Sequence, residues 1–160
     1  MKTKQKIFFA KIIYKFIRIF FPEKIKVKRN NIEWNLNLSE AIDLHIFVFG
    51  SFEKEITNIA KKLQLKKNNQ IIDIGANFGV QSLQFAKNFK DSKIYSIEPT
   101  NYAFDKFKKN LELNPKLSKN IYPFQIFLGS KEKEIPSSIY SSWNLVSKGT
   151  KHIKHLGEKK

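Results

Sequence analysis

Residues 71–80 read Ile71-Ile72-Asp73-Ile74-Gly75-Ala76-Asn77-Phe78-Gly79-Val80. An apolar run ends in an acid, two glycines follow four residues apart, and a helix-like stretch begins. This is a strand, a tight turn and a helix start, a construction that lets backbone approach a nucleotide cofactor closely. A second signal follows downstream. The strand-like run Lys93-Ile94-Tyr95-Ser96-Ile97 ends on Glu98-Pro99, and Glu98 falls 25 residues after Asp73. An acid at the tip of the next parallel strand can accept hydrogen bonds from ribose hydroxyls. The glycines alone have a plainer reading, as turn residues at positive φ with Asp73 at a helix N-terminus. Glu98 at this distance shifts the weight toward a cofactor site. The turn is D-x-G-x-x-x-G and departs from the dinucleotide pattern G-x-G-x-x-G.

Composition sets the outer limits. A chain of 160 residues is one domain or part of one, and 41% hydrophobic residues with 15 Phe suffice for a packed core. The absence of cysteine excludes disulfides and thiolate metal sites and fits a reducing compartment. The formal net charge of +16 is concentrated at the ends. Residues 1–30 hold 10 Lys/Arg against one acid, residues 131–160 hold 7 against 3, and the stretch between holds 13 against 10. Such ends suit an anionic surface, phospholipid or nucleic acid. A coding bias toward Lys, Asn, Ile and Phe would give the same charge without a partner.

Residues 7–21 form a basic amphipathic helix stopped by Pro22, with Lys4, Lys11, Lys15 and Arg18 on one face. It is short of the roughly 20 apolar residues that a bilayer span needs, and it lacks the small-residue cleavage site of a signal peptide. Residues 1–22 are therefore expected either at a membrane interface or packed on their own domain or a partner chain. Short strands are expected at Ile25–Val27, Ile32–Leu38 and Leu44–Phe49, with a turn at Asn30-Asn31. Gly50-Ser51 then opens a helix carrying Ile56, Ile59, Ala60 and Leu63 on one stripe. After a polar loop, the strand at 70–74 leads through the glycine turn into a helix ending near Phe89, with Val80, Leu83 and Ala86 inward. A further helix runs from Asn101 to Leu113, with Phe104, Phe107 and Leu111 inward, and Asn114-Pro115 stops it. A strand at Tyr122–Leu128 ends at Gly129-Ser130. The organisation expected is a basic helix at 1–22, short strands at 23–50, an α/β domain with a parallel sheet at 51–135, and a polar basic tail at 136–160.

With these residues placed, the chain resembles the FkbM family of S-adenosylmethionine-dependent methyltransferases. The resemblance covers roughly residues 32–135. It is carried by Asp73-Ile74-Gly75-Ala76-Asn77-Phe78-Gly79 and Ile97-Glu98-Pro99, with Phe52-Glu53, Asn110 to Asn114 and Leu128-Gly129-Ser130. It implies a Rossmann-like methyltransferase fold, S-adenosylmethionine as cofactor, and methyl transfer to a hydroxyl of a sugar or polyketide acceptor. It assigns cofactor contacts to Asp73, Gly75, Ala76, Asn77, Gly79, Glu98 and Pro99. Gly75 to Gly79 would line the methionine end, Glu98 would hold the ribose, and Pro99-Thr100 would lie beside the adenine. Members continue into a fourth strand with an Asp-Val-Glu-Gly-type motif and three more strands, which residues 131–160 do not match. The expected parallel sheet is therefore incomplete, cut at the strand that opens the motif, as in a truncated chain or one half completed by a second chain. A cytoplasmic location is expected, with the inner membrane face as a docking place for residues 1–22.

No catalytic residue emerges. Hydroxyl methylation benefits from a general base, but His45 sits in an apolar run that suits a structural role. His152 and His155 share a helical face without companion ligands, so no metal site is expected. Glu53 and Glu55 suit a helix N-terminus, although Glu53 also matches the family pattern. The serines at 137–142 lack a base. Two other functions compete: a non-catalytic protein at a membrane surface that retains a remnant cofactor fold, and a nucleic-acid binder. The latter rests on charge alone, since the basic ends are poor in Arg and no nucleic-acid module is present.

Overall fold

The computed structural model describes residues 3–63, 69–129, 138–139, 144–146 and 152–153. The chain divides into two units, the first built on the residues up to Phe52 and the second on those from Glu53.

The first unit opens with α1 (Thr3–Phe20), followed by the strands β1 (Lys24–Arg29) and β2 (Ile32–Asn37) and the helix α2 (Ala41–Phe49). β1 and β2 pair antiparallel, Arg29 opposite Ile32. Asn30 and Asn31 both hold positive φ, 50° and 59°, which is the backbone of a two-residue hairpin turn. Alternation on β2 buries Ile32, Trp34 and Leu36, which form the core with Leu44, Ile46 and Phe47 of α2. The third strand expected at 44–49 is a helix. Its apolar residues continue around the whole circumference, so periodicity does not separate the two forms. Two contacts decide it. Asp43 accepts a hydrogen bond from the backbone N–H of Asn37 (2.7 Å), and Gly50, in the left-handed region at φ 81°, closes the helix with its N–H on Ile46. Leu145, in the stretch expected to be a polar tail, is buried here, its N–H on the carbonyl of Ser39.

The second unit begins with α3 (Lys54–Lys62) and continues as β3 (Gln70–Ile74), α4 (Val80–Asn88), β4 (Lys93–Ile97), α5 (Asn101–Leu113), α6 (Pro115–Ser118) and β5 (Ile121–Phe124). The three strands form one parallel sheet in the order β3-β4-β5. This is an α/β, Rossmann-like βαβαβ arrangement. Both crossovers step in the same direction across the sheet. Right-handed connection therefore places their helices on one face. On that face Ile94, Ser96, Leu83, Ala86, Phe107 and Ile121 are buried. The opposite face carries Ile72, Ile74, Tyr122 and Phe124, all exposed, with Tyr95 stacked on Tyr122 at 5.3 Å. Among the described residues β3 pairs only with β4, so it is an edge.

Three details depart from expectation. The strand expected at Tyr122–Leu128 runs only from Ile121 to Phe124. The stripe of α3 faces outward, with Ile56, Ile59 and Leu63 exposed and Thr57 buried instead. Ser138–Ile139 pairs antiparallel with His152–Ile153, so His152 lies in a short strand rather than on a helix. His155, the turn expected at 131–134 and Ser137, Ser141 and Ser142 lie outside the described residues.

Candidate functional site

The glycine turn sits at the carboxyl end of β3, where parallel α/β sheets place their ligands. Gly75 (φ 77°), Asn77 (φ 51°) and Gly79 (φ 87°) all take left-handed conformations. The N–H groups of Gly75 and Ala76 both donate to the carbonyl of Ile97 at 2.9 Å, which pins the turn to the end of β4. The N–H of Gly79 closes the turn on Ala76 (2.8 Å), and Leu83 donates to Gly79 to start α4.

The two glycines serve different ends. A Cβ on Gly79 would stand 2.3 Å from two ring carbons of Phe107, so this position brings α4 and α5 into close packing. A Cβ on Gly75 would meet nothing within 4 Å. Its outer side is open, with Ile74 beside it exposed.

Glu98 is 6% exposed and its carboxylate is held by backbone. One oxygen accepts the N–H of Asn77 (2.9 Å), and the other accepts the N–H (2.9 Å) and hydroxyl (2.5 Å) of Thr100. These three bonds leave about one of a carboxylate's four acceptor positions for a ligand. Pro99 is half-buried between Glu98 and Thr100, and Thr100 leads into α5.

Asp73 turns inward. The hydroxyl of Ser82, the third residue of α4, donates to Asp73 Oδ2 (2.5 Å), and Ser96 lies 2.8 Å behind it, oxygen to oxygen. Because the Ser82 proton points at Asp73, Ser96 is the donor to Ser82. Burial raises the pKa of Asp73 above the ordinary carboxylate value and the charge of Glu98 adds to this, while the side-chain and backbone bonds from Ser82 oppose it.

Phe78 is fixed from α5. The side-chain amide of Asn110, fully buried, donates to the Phe78 carbonyl (2.9 Å), and the Lys106 ammonium stands 4.1 Å from the centre of the Phe78 ring. Asn114 in turn bonds the carbonyl of Asn110 at 2.7 Å. Asn110 and Asn114, read from the sequence as a family match, therefore support the turn.

The structure thus ties Gly75, Ala76 and Asn77 to the end of β4 and to Glu98, turns Asp73 inward toward Ser82, sets Gly79 against Phe107, and places Pro99 next to Glu98. Sequence reading missed Ser82, Ser96 and Lys106. Ser96 carried a signal, a polar residue at an inward position of an alternating strand. Glu53 caps α3 in a left-handed conformation at φ 50°, and its carbonyl accepts the side chain of Gln81. His45 bonds the carbonyl of Ser51 (2.9 Å) and its ring meets Phe49 and Phe52 in the first unit.

The turn has a chemical consequence. A dinucleotide site aims free backbone N–H groups at a pyrophosphate. Here the N–H groups of Gly75, Ala76, Asn77 and Gly79 are all spent within the protein. Those four donors are committed, and Glu98 retains an acceptor position suited to a ribose hydroxyl.

No family model matches the chain. It is 23% identical over 155 residues to the uncharacterized protein YbxB of Bacillus subtilis, spanning 87% of this chain and 77% of that protein. The solved structure of TYW2 from P. horikoshii in complex with MeSAdo superposes with a TM-score of 0.48 at 18% identity, over 83% of this chain and 50% of that one. The chain is 33% identical over 76 residues to the methyltransferase sdnD of Sordaria araneosa, an alignment spanning 48% of this chain and 29% of that protein, so the sequence likeness is to part of a methyltransferase.

Proposed function

We propose that the chain carries the cofactor-binding half of an S-adenosylmethionine-dependent methyltransferase of the FkbM type, acting on a hydroxyl of a sugar or related small molecule. The observation that carries this reading is the turn itself. A Cβ at Gly75 would meet nothing within 4 Å, a buried acid stands at the tip of the next strand, and the N–H groups of Gly75, Ala76, Asn77 and Gly79 are bonded within the protein. The sequence likeness to sdnD supports methyl transfer. In this reading Gly75 to Asn77 line the methionine end, Glu98 holds a ribose hydroxyl with its remaining acceptor position, and Pro99 borders the adenine. The bound cofactor would supply an electrophilic methyl group on a sulfonium. The acceptor and any base would come from beyond the open edge of β3, in a further segment or a completing chain.

Calorimetric titration of the whole chain with S-adenosylmethionine tests the reading. Saturable binding is expected. Gly75→Val, which puts a side chain into the open space and a β-branched residue at φ 77°, weakens it at least about tenfold, a loss of ~1.4 kcal/mol, in a chain that circular dichroism shows to be folded. Glu98→Ala weakens it as well. A folded chain with no binding, or binding indifferent to Gly75→Val, overturns the reading.

A further inference from the structure

Helix α1 has three faces. Ile7, Ala10, Tyr14 and Ile17, three or four residues apart, are half-buried and turn toward their own unit, where the Tyr14 hydroxyl donates to Glu23 at 3.1 Å. Lys11, Lys15 and Arg18 form a strip along one border of that face. The remaining side holds Phe8, Phe9, Ile12, Phe16, Ile19 and Phe20, each between 49% and 72% exposed. At 3.6 residues per turn these six span an arc of about 120°, the width of stripe that a globular helix normally buries. The helix has already met its own unit with another face, so this arc is additional.

Charge narrows the occupant. Helix α1 contains no acid. A second copy packed arc to arc would bring cation strips toward each other, and α1 supplies no acid to neutralise them. An anionic bilayer surface offers an apolar layer for the aromatics and phosphates for the flanking cations. No described helix is long and apolar enough to cross a membrane, so a surface-parallel seat is the one that α1 suits.

We propose that α1 seats the chain on an anionic phospholipid surface, its aromatic arc in the boundary between headgroups and acyl chains and its cations at the lipid phosphates. This is independent of the methyl-transfer reading.

The test is co-sedimentation of the whole chain with vesicles of phosphatidylcholine alone and of phosphatidylcholine mixed with phosphatidylglycerol. Binding to the mixed vesicles is expected, falling as salt rises. Lys11→Gln with Lys15→Gln weakens it by about thirtyfold, from roughly fivefold per surface lysine. Phe16→Ser and Phe20→Ser each weaken it by at least about tenfold. Both phenylalanines are exposed, so these variants keep the fold, which circular dichroism verifies. A folded chain that ignores the mixed vesicles, or binds them equally well without the phenylalanines, overturns the proposal. So does a chain that self-associates through the arc in sedimentation equilibrium and binds no lipid.

Discussion

At Asp73 a carboxyl lies beneath the glycine turn, between the start of α4 and the end of β4, and its ionisation is coupled to folding. Its pKa is raised, first by burial and then by the charge of Glu98. A raised carboxyl pKa means that the folded state holds the proton more tightly than the unfolded chain. Stability therefore falls as pH climbs from the ordinary carboxylate range through the raised value, and levels off above it. Asp73→Asn should flatten that fall while keeping an acceptor for Ser82. Thermal melts of both chains across this pH range check it, and parallel curves would count against the assignment. That an acid stood here was legible from the sequence. Its inward orientation was not, because the partners Ser82 and Ser96 lie on other elements.

Among the elements, the hairpin β1–β2 was the most legible. Its alternation and the Asn30-Asn31 pair both survive in the structure, and the turn uses positive φ at both asparagines. Asn tolerates that region, and Gly occupies it without cost from a Cβ. Asn31→Gly should therefore stabilise the first unit by about 0.5–1 kcal/mol. Chemical denaturation is the measurement, and a loss of stability would refute the turn assignment. Helix α2 was less legible. Its apolar residues run around the helix, and the deciding contacts, Asp43 on Asn37 and the Gly50 cap, depend on the fold. Helix α3 shows the converse: its stripe at helical spacing was real, yet Ile56, Ile59 and Leu63 face outward. A period identifies a face and says nothing of what covers it.

At the scale of the molecule, among the described residues the sheet has one covered face and one bare one, with Ile72 at 64% and Ile74 at 68% exposure on the edge strand. An apolar face beside an open edge invites association. Ile72→Thr with Ile74→Thr should reduce self-association and dye binding while changing folding stability by no more than ~0.5 kcal/mol per site. Sedimentation velocity and denaturation together read the two effects. A loss of several kcal/mol would show that these side chains are buried after all.

The sequence alone determined the strand–turn–helix at 70–88, the acid after β4, the helix at 101–113 and the hairpin, because each depends on local period, turn chemistry or spacing. It also determined that α1 carries a cation strip and a broad apolar surface. Tertiary structure decided which surfaces are covered. Three strands in sequential order, joined by right-handed crossovers, put α4 and α5 on one side and leave the other bare. It also decided why two similar glycines differ. Gly79 is confined by Phe107, which is 28 residues away in the chain, whereas Gly75 faces open space. Such distinctions depend on contacts between residues distant in sequence, and the pattern of either segment alone does not contain them.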